Sequence, residues 1–334
     1  MKSTAFLLCT LALTGLRAWA WGPKGHEVVA YIAYQHLDAR TRTRVDALVK
    51  LNPCYDEWSA DVAQLPVSEK ATAIFMLAAT WPDKIKNNPH GAAYDCQPGH
   101  TFIKDGGAGP NGKFSVDIPS DGPEASQNVG YDDDRRHQYW HFIDLPFSND
   151  GTPTRPPYTP NAVTEIVLLT TAIGTDEADA VKSYDLAWLE HLVGDVHQPL
   201  HDTTRFTLGH PNGDQGGNLV LICGTPNCKT ELHAYWDQLP GPGNDLSAAI
   251  DLGEQLDQEP IPDGVDETDP NNWANEGFEL AKTVAYAPPV TDDAAGSTGS
   301  PLGKTYRAKA VKTMDSRLSL AGHRLAQLLN THLH

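Results

Sequence analysis

Two stretches of this chain place a histidine and an aspartate four residues apart inside helix-forming runs: His191 and Asp195 in EHLVGDVHQPLHD, and His233 and Asp237 in LHAYWDQL. Four residues end about 40° past a full helical turn, so each pair shares one helix face. Polar groups on otherwise apolar helices must find partners when buried, so the fold has to wrap helices around a polar interior. Apolar residues recur at helical spacing over 25–37, 41–51, 71–79, 162–173, 177–196, 232–239, 246–256, 273–286 and 306–333. Strand patterns are confined to short runs such as 218–223. The pattern predicts an all-α, single-domain helical bundle with long loops and a short β-hairpin. The segments 87–134, 148–160 and 286–303 are dense in Gly, Pro, Asn or Asp and are read as loops.

The chain opens with an address for export. Lys2 gives a positive start, residues 5–16 an apolar run, and Ala18-Trp19-Ala20 a small-x-small cleavage site. The apolar run is shorter than the roughly 20 residues a bilayer requires. Residues 1–20 are therefore expected to be removed, leaving one domain over 21–334 that begins WGPKGH and is not inserted in a membrane. The chain has 25 basic and 43 acidic residues; removing Lys2 and Arg17 takes the formal charge from −18 to about −20. Such a balance lacks the basic stripe of a duplex-DNA binder.

Of five cysteines, Cys9 leaves with the leader. Four thiols in an oxidising compartment favour two disulfides, with three connectivities open. Cys223 and Cys228 enclose a tight Gly-Thr-Pro-Asn turn and are paired, which leaves Cys54 with Cys96. The absence of an N-x-Ser/Thr sequon leans toward a bacterial source, secreted or periplasmic.

Histidine is abundant, at 14 residues. His201 follows Asp195 after Pro199 has ended the helix, and further candidates are His26, Asp83 in TWPDKIK and His141 in YWHFID. Imidazole and carboxylate are the donors that zinc takes at a catalytic site. Taken singly, each is more ordinarily a hydrogen-bonded core residue or a cap, and the two His-x-x-x-Asp pairs by themselves leave a metal centre and a hydrogen-bonded core both open.

WGPKGH at the expected mature start, WPD, HFID, EHLVGDVHQPLHD, GGN at 216–218 and LHAYWD, in that order, resemble the trinuclear-zinc single-strand nucleases (nuclease type I), the family of mung-bean nuclease and the fungal single-strand nucleases. Trp273-Ala274 and AGHRLAQLLN extend the resemblance almost to the C-terminus. It implies a helical fold shared with zinc phospholipase C and a set of three Zn²⁺. One zinc takes Asp83, His141, His191 and Asp195. A close neighbour takes the α-amine and carbonyl of Trp21, with His26 and a shared Asp195. A third takes His201, His233 and Asp237. An α-amine has a pKa near 8, so zinc can claim it, but only after the leader is cut.

The implied activity is an endonuclease on single-stranded DNA and RNA that leaves 5′-phosphates, with a 3′-nucleotidase activity beside it. Asp83 orients the attacking water or takes its proton, and Lys86 is the phosphate cation. Phe142 and Asp144 hold a base by stacking and hydrogen bonding, with Asn218 near the scissile phosphate. Nucleic acid and nucleotides are the expected partners, with no obligate protein partner and a monomeric state. His36, His90, His100, His137, His197, His210, His323, His332 and His334 match no ligand position, and His197 is read as lying on the helix surface or behind the ligands. The connection from Asp83 to His141 is long, an insertion over 87–136 that is expected to roof the site. Two rival readings are a zinc phospholipase C and an exported zinc-binding protein without catalysis. HFID and AGHRLAQLLN stand against the first, Asp83 and Lys86 against the second.

Overall fold

The computed structural model describes residues 21–86, 96, 128–133, 135–225, 227–243, 245–291 and 298–333. The leader and most of the 87–136 insertion lie outside them, so the expectations on leader cleavage and on the roof fall there too. Eleven α-helices stand among the described residues: α1 (Pro23–His36), α2 (Ala39–Val49), α3 (Tyr55–Asp61), α4 (Val67–Ala78), α5 (Trp81–Lys86), α6 (Ala162–Ile173), α7 (Asp179–Asp195), α8 (Leu232–Asp237), α9 (Leu246–Asp257), α10 (Pro270–Leu280) and α11 (Lys304–His332). The all-α expectation holds.

Local chemistry sets the boundaries. Pro23 begins α1, where its missing N–H costs no helical hydrogen bond. Asp38 caps α2 by accepting from the Thr41 N–H at 2.8 Å. Asn161 and Thr164 close a reciprocal capping box on α6. Asp269 caps α10, which Pro270 opens.

Helix α7 is the axis of the molecule. Every residue from Lys182 to Asp195 is buried, as expected of a helix packed on all sides rather than along one stripe. α6, α2, α1, α11 and α5 all pack against it. At the edge of the insertion, Asp133 is buried and accepts from Tyr184 of α7 at 3.1 Å, with the His137 ring 2.6 Å away. This end of the insertion is thus stitched to the central helix.

The largest departure from the expected β content is a two-stranded parallel ladder. β1 (Leu145–Ser148) pairs with β2 (Thr203–Phe206), Leu145 opposite Thr203. Parallel strands need a long crossover, and α6 and α7 supply it. The expected hairpin near 218–223 survives as one isolated antiparallel bridge, Leu221 with Glu231. The ladder matters because β1 follows His141 and β2 follows His201. The Ile143 N–H donates to the His201 carbonyl at 2.8 Å, which sets the two histidines side by side.

Two apolar clusters form the core. The larger gathers Trp21, Val28, Trp81, Trp188 and Leu192; the smaller gathers Leu200, Leu232, Trp236, Tyr286 and Tyr306. Both disulfides form as expected, with Cα separations of 4.9 Å for Cys54–Cys96 and 5.5 Å for Cys223–Cys228, inside the usual bridging range.

A buried ionic clamp fastens α11 to the rest. Arg324 donates to Glu276 at 2.8 Å and to the Gly264 carbonyl at 2.7 Å, while Arg317 donates to Glu276 at 2.7 Å and to the His197 carbonyl at 3.1 Å. Removing one member of such a network leaves the others unpaired. Arg324→Met is expected to lower the unfolding free energy by about 3 kcal/mol, the low end for a broken buried pair because Glu276 is part-exposed. Urea denaturation at fixed zinc checks this, and an unchanged midpoint would contradict it.

Candidate metal centre

The structure brings eight of the expected ligand side chains into one buried cluster along the boundary of the two apolar cores. His26, His141, His191 and Asp195 are fully buried, and Asp83, His201, His233 and Asp237 are at most 7% exposed. α1 delivers His26, α5 Asp83, and the last turn of α7 His191 and Asp195. The two segments entering the β-ladder deliver His141 and His201, and α8 brings His233 and Asp237.

Asp195 lies at the centre. Its Oδ2 is 3.0 Å from His191 Nε2 and 3.1 Å from His141 Nδ1. Its Oδ1 is 3.2 Å from His201 Nδ1 and 3.5 Å from His26 Nε2. Asp83 Oδ1 lies 3.8 Å from both His141 Nδ1 and His191 Nε2. In the neighbouring group, Asp237 places Oδ1 3.5 Å from His201 Nε2 and Oδ2 3.5 Å from His233 Nε2. Three sets of donors each converge closely enough to share an ion: His26, Asp83 and His191; His141, His191 and Asp195; and His201, His233 and Asp237.

Backbone carbonyls aim the rings. His191 Nδ1 donates to the Ala79 carbonyl at 2.8 Å, His233 Nδ1 to Gly216 at 2.8 Å and His201 Nδ1 to His141 at 2.9 Å. In the neutral ring, each bond fixes the tautomer that leaves Nε2 as a lone pair facing the cluster. Gln198 Nε2 donates to Asp237 Oδ1 at 2.7 Å and orients that carboxylate. Sequence reasoning missed Gln198 and these carbonyls. The Gln198 position three residues after Asp195 was the available sign, whereas a carbonyl carries none.

The donor set fits a metal. His26 Nδ1 and Nε2, Asp195 Oδ1, His201 Nε2 and Asp237 Oδ2 are buried without a hydrogen-bond partner, a loss that each group would otherwise avoid. Donors held about 2.0–2.2 Å from one zinc sit roughly 3–3.5 Å from one another, close to the separations seen here.

The electrostatics agree. Burial opposes the charge on Asp195, yet His191 and His201 outweigh it and hold the carboxyl well below its usual range. Burial likewise works against a proton on His201, but Asp195 and Asp237 lift that ring to about 10. Burial pushes Asp237 up to about 7 and His233 down to about 3, and it lowers His26 and His141 as well. Divalent charge would satisfy the carboxylates while leaving the imidazoles neutral.

Trp21 is fully buried beside both groups. Its indole Nε1 donates to the Gly194 carbonyl at 3.0 Å, and the next N–H, of Gly22, donates to the Asp237 carbonyl at 2.8 Å. Lys86 Nζ lies 3.5 Å from Asp83 Oδ1. Phe142 is half-buried against the larger core, and Asp144 is half-buried two residues on. Asn218 is half-buried, and its amide donates to the Gln215 carbonyl at 2.8 Å. His197 is not on a helix surface: it is fully buried, with Nε2 2.9 Å from Arg324.

Comparison with known proteins agrees with this geometry. The S1/P1 nuclease family matches residues 21–334. Endonuclease 3 of Arabidopsis thaliana is 25% identical over 353 residues, covering 99% of this chain and 94% of its own. Nuclease S1 of Aspergillus oryzae is 25% identical over 337 residues, covering 96% and 94%. Endonuclease 5 of Arabidopsis thaliana reaches 31% over 164 residues, covering 43% and 49%. The family match and these relatives define the class as a hydrolytic nuclease. The chain belongs to the S1/P1 nuclease family.

Gly194 gives a direct test of the centre. A Cβ there would lie 2.8 Å from His26 Nδ1, and His26 cannot step aside because its ring stacks on His191 at 3.8 Å. Alanine favours a helix over glycine, so Gly194→Ala should leave helicity intact. It is expected to lower bound zinc and nuclease turnover together. Circular dichroism beside elemental analysis checks this; unchanged metal content would contradict the arrangement.

Proposed function

We propose that this chain is a zinc-dependent endonuclease hydrolysing single-stranded DNA and RNA to 5′-phosphorylated products, with 3′-nucleotidase activity, exported from a bacterial cell and acting as a monomer. The observation that carries the reading is Asp195 shared between two groups of imidazoles, with a third His/His/Asp group adjoining. The family match and the relatives named as nucleases and endonucleases support a nucleic-acid substrate over a lipid one. No helix among the described residues is long and apolar enough to cross a membrane. The two disulfides fit an oxidising compartment.

The ligand sets are those the resemblance implies: Asp83, His141, His191 and Asp195 for one zinc; Trp21, His26 and Asp195 for its neighbour; His201, His233 and Asp237 for the third. Zinc held there supplies Lewis-acid charge to phosphate oxygens and brings the pKa of a water to about 7. Asp83 would orient a water held there and receive its proton. Lys86, at the side of Asp83, pairs with the phosphate as a point charge. Phe142 stacks on an unpaired base, an interaction available to any sequence, and Asp144 accepts from its polar edge. Asn218 braces the turn that positions His233, near the phosphate. Bases locked in a duplex cannot be stacked in this way, which accounts for single-strand preference.

Asp83→Asn, compared at equal zinc occupancy, is expected to lower turnover by about a hundredfold or more, the scale of a lost general base. Near-normal turnover would remove Asp83 from proton transfer. Products from single-stranded DNA should carry 5′-phosphates by end-group analysis, and 3′-phosphate ends would contradict the scheme.

The role of Trp21 has its own test. An amide nitrogen has no available lone pair for zinc, so one extra Ala before Trp21 should empty the site shared with His26 and abolish hydrolysis. The zinc at His201, His233 and Asp237 should persist. Full activity and unchanged zinc in the extended protein would reduce Trp21 to a buried aromatic.

A further inference from the structure

Two histidines that match no ligand position in the family pattern, His36 and His323, meet at the far end of α1. His36 is the last residue of α1, Asp257 the last of α9, and His323 lies within α11. His36 Nε2 is 2.6 Å from Asp257 Oδ1. The His36 and His323 rings lie 4.3 Å apart at 60°. One donor atom from each of the three residues lies within 4.8 Å of the other two.

A simple His–Asp hydrogen bond accounts for two of these groups and leaves the third unexplained. His323 is 7% exposed, and its Nε2 is buried without a hydrogen-bond partner. Burial, and then the neighbouring His36, lower its pKa, so the ring is neutral and offers a lone pair. Glu254, one turn before Asp257 on α9, adds negative charge nearby and accepts from the Tyr31 hydroxyl at 3.3 Å. The His36 side chain is 40% exposed and Asp257 25%, which leaves room for solvent to complete a coordination shell.

We propose that His36, Asp257 and His323 form a separate zinc site, completed by water, that pins the ends of α1 and α9 to α11. Two imidazoles, one carboxylate and an open position make up a three-ligand zinc set. His26 and His36 are ten residues apart on α1, about 15 Å along the helix, so this ion is distinct from the buried cluster. α1 also carries His26 at its other end, so the site would steady the helix that serves the catalytic centre. The inference does not rest on the nuclease reading, because it is read as a difference in zinc content between proteins sharing the same buried cluster.

The test uses the protein beginning at Trp21 and two variants, His36→Gln and Asp257→Asn. The second keeps a side-chain acceptor for His36 while removing the charge. All three are dialysed against one buffered micromolar zinc solution at neutral pH, then assayed for zinc per chain, nuclease activity and melting temperature. The wild type is expected to hold one zinc more than either variant, with equal activity in all three. Its melting temperature should rise with zinc over a range where the variants no longer respond. Equal zinc in all three proteins would overturn the site. Loss of more than one zinc, or of activity, would show that the substitutions reach the buried cluster and would overturn its independence.

Discussion

The structure depends on a single buried carboxylate. Asp195 is fully enclosed and has four imidazoles within 3.5 Å, two on each oxygen. A lone carboxylate in such a place is costly, and the chain meets that cost by bringing histidines from four separate segments to it. The crossover between β1 and β2 places α7 so that its last turn reaches the cluster. The ladder sets His141 and His201 on either side. The first turn of α1 closes the remaining approach with His26.

Space is as tightly specified as charge. Gly194 lies where any side chain would strike His26, and Gly25 where one would strike Trp21 Cβ at 2.7 Å. Gly216 has a φ of +60°, and a side chain there would meet the Leu200 carbonyl and His233; glycine alone tolerates that turn comfortably. Behind the donors, Gln198 holds Asp237, and the His197 carbonyl and ring are held by Arg317 and Arg324 from α11. The C-terminal helix therefore braces the segment that links Asp195 to His201.

The parts of this arrangement written in helical period were legible in the sequence. His191 with Asp195 and His233 with Asp237 follow from spacing alone, and the long helices follow from apolar recurrence. His26, Asp83, His141 and Trp21 lie far apart in the chain, so only the order of short motifs suggested that they belong together. α3 has seven residues and a single buried side chain, Trp58, too little for a periodic signal. The parallel ladder is set by the crossover rather than by its four-residue strands. Carbonyls that aim the rings have no side-chain identity to read, and His36 and His323 acquire meaning only through the packing of α1 against α11.

Anomalous diffraction at the zinc edge, on crystals of the protein beginning at Trp21, tests the central claim most directly. Three peaks are expected within the buried cluster, with one oxygen of Asp195 on each of two ions and the third ion held by His201, His233 and Asp237. A single peak, or an Asp195 held only by hydrogen bonds to histidine, would contradict that claim.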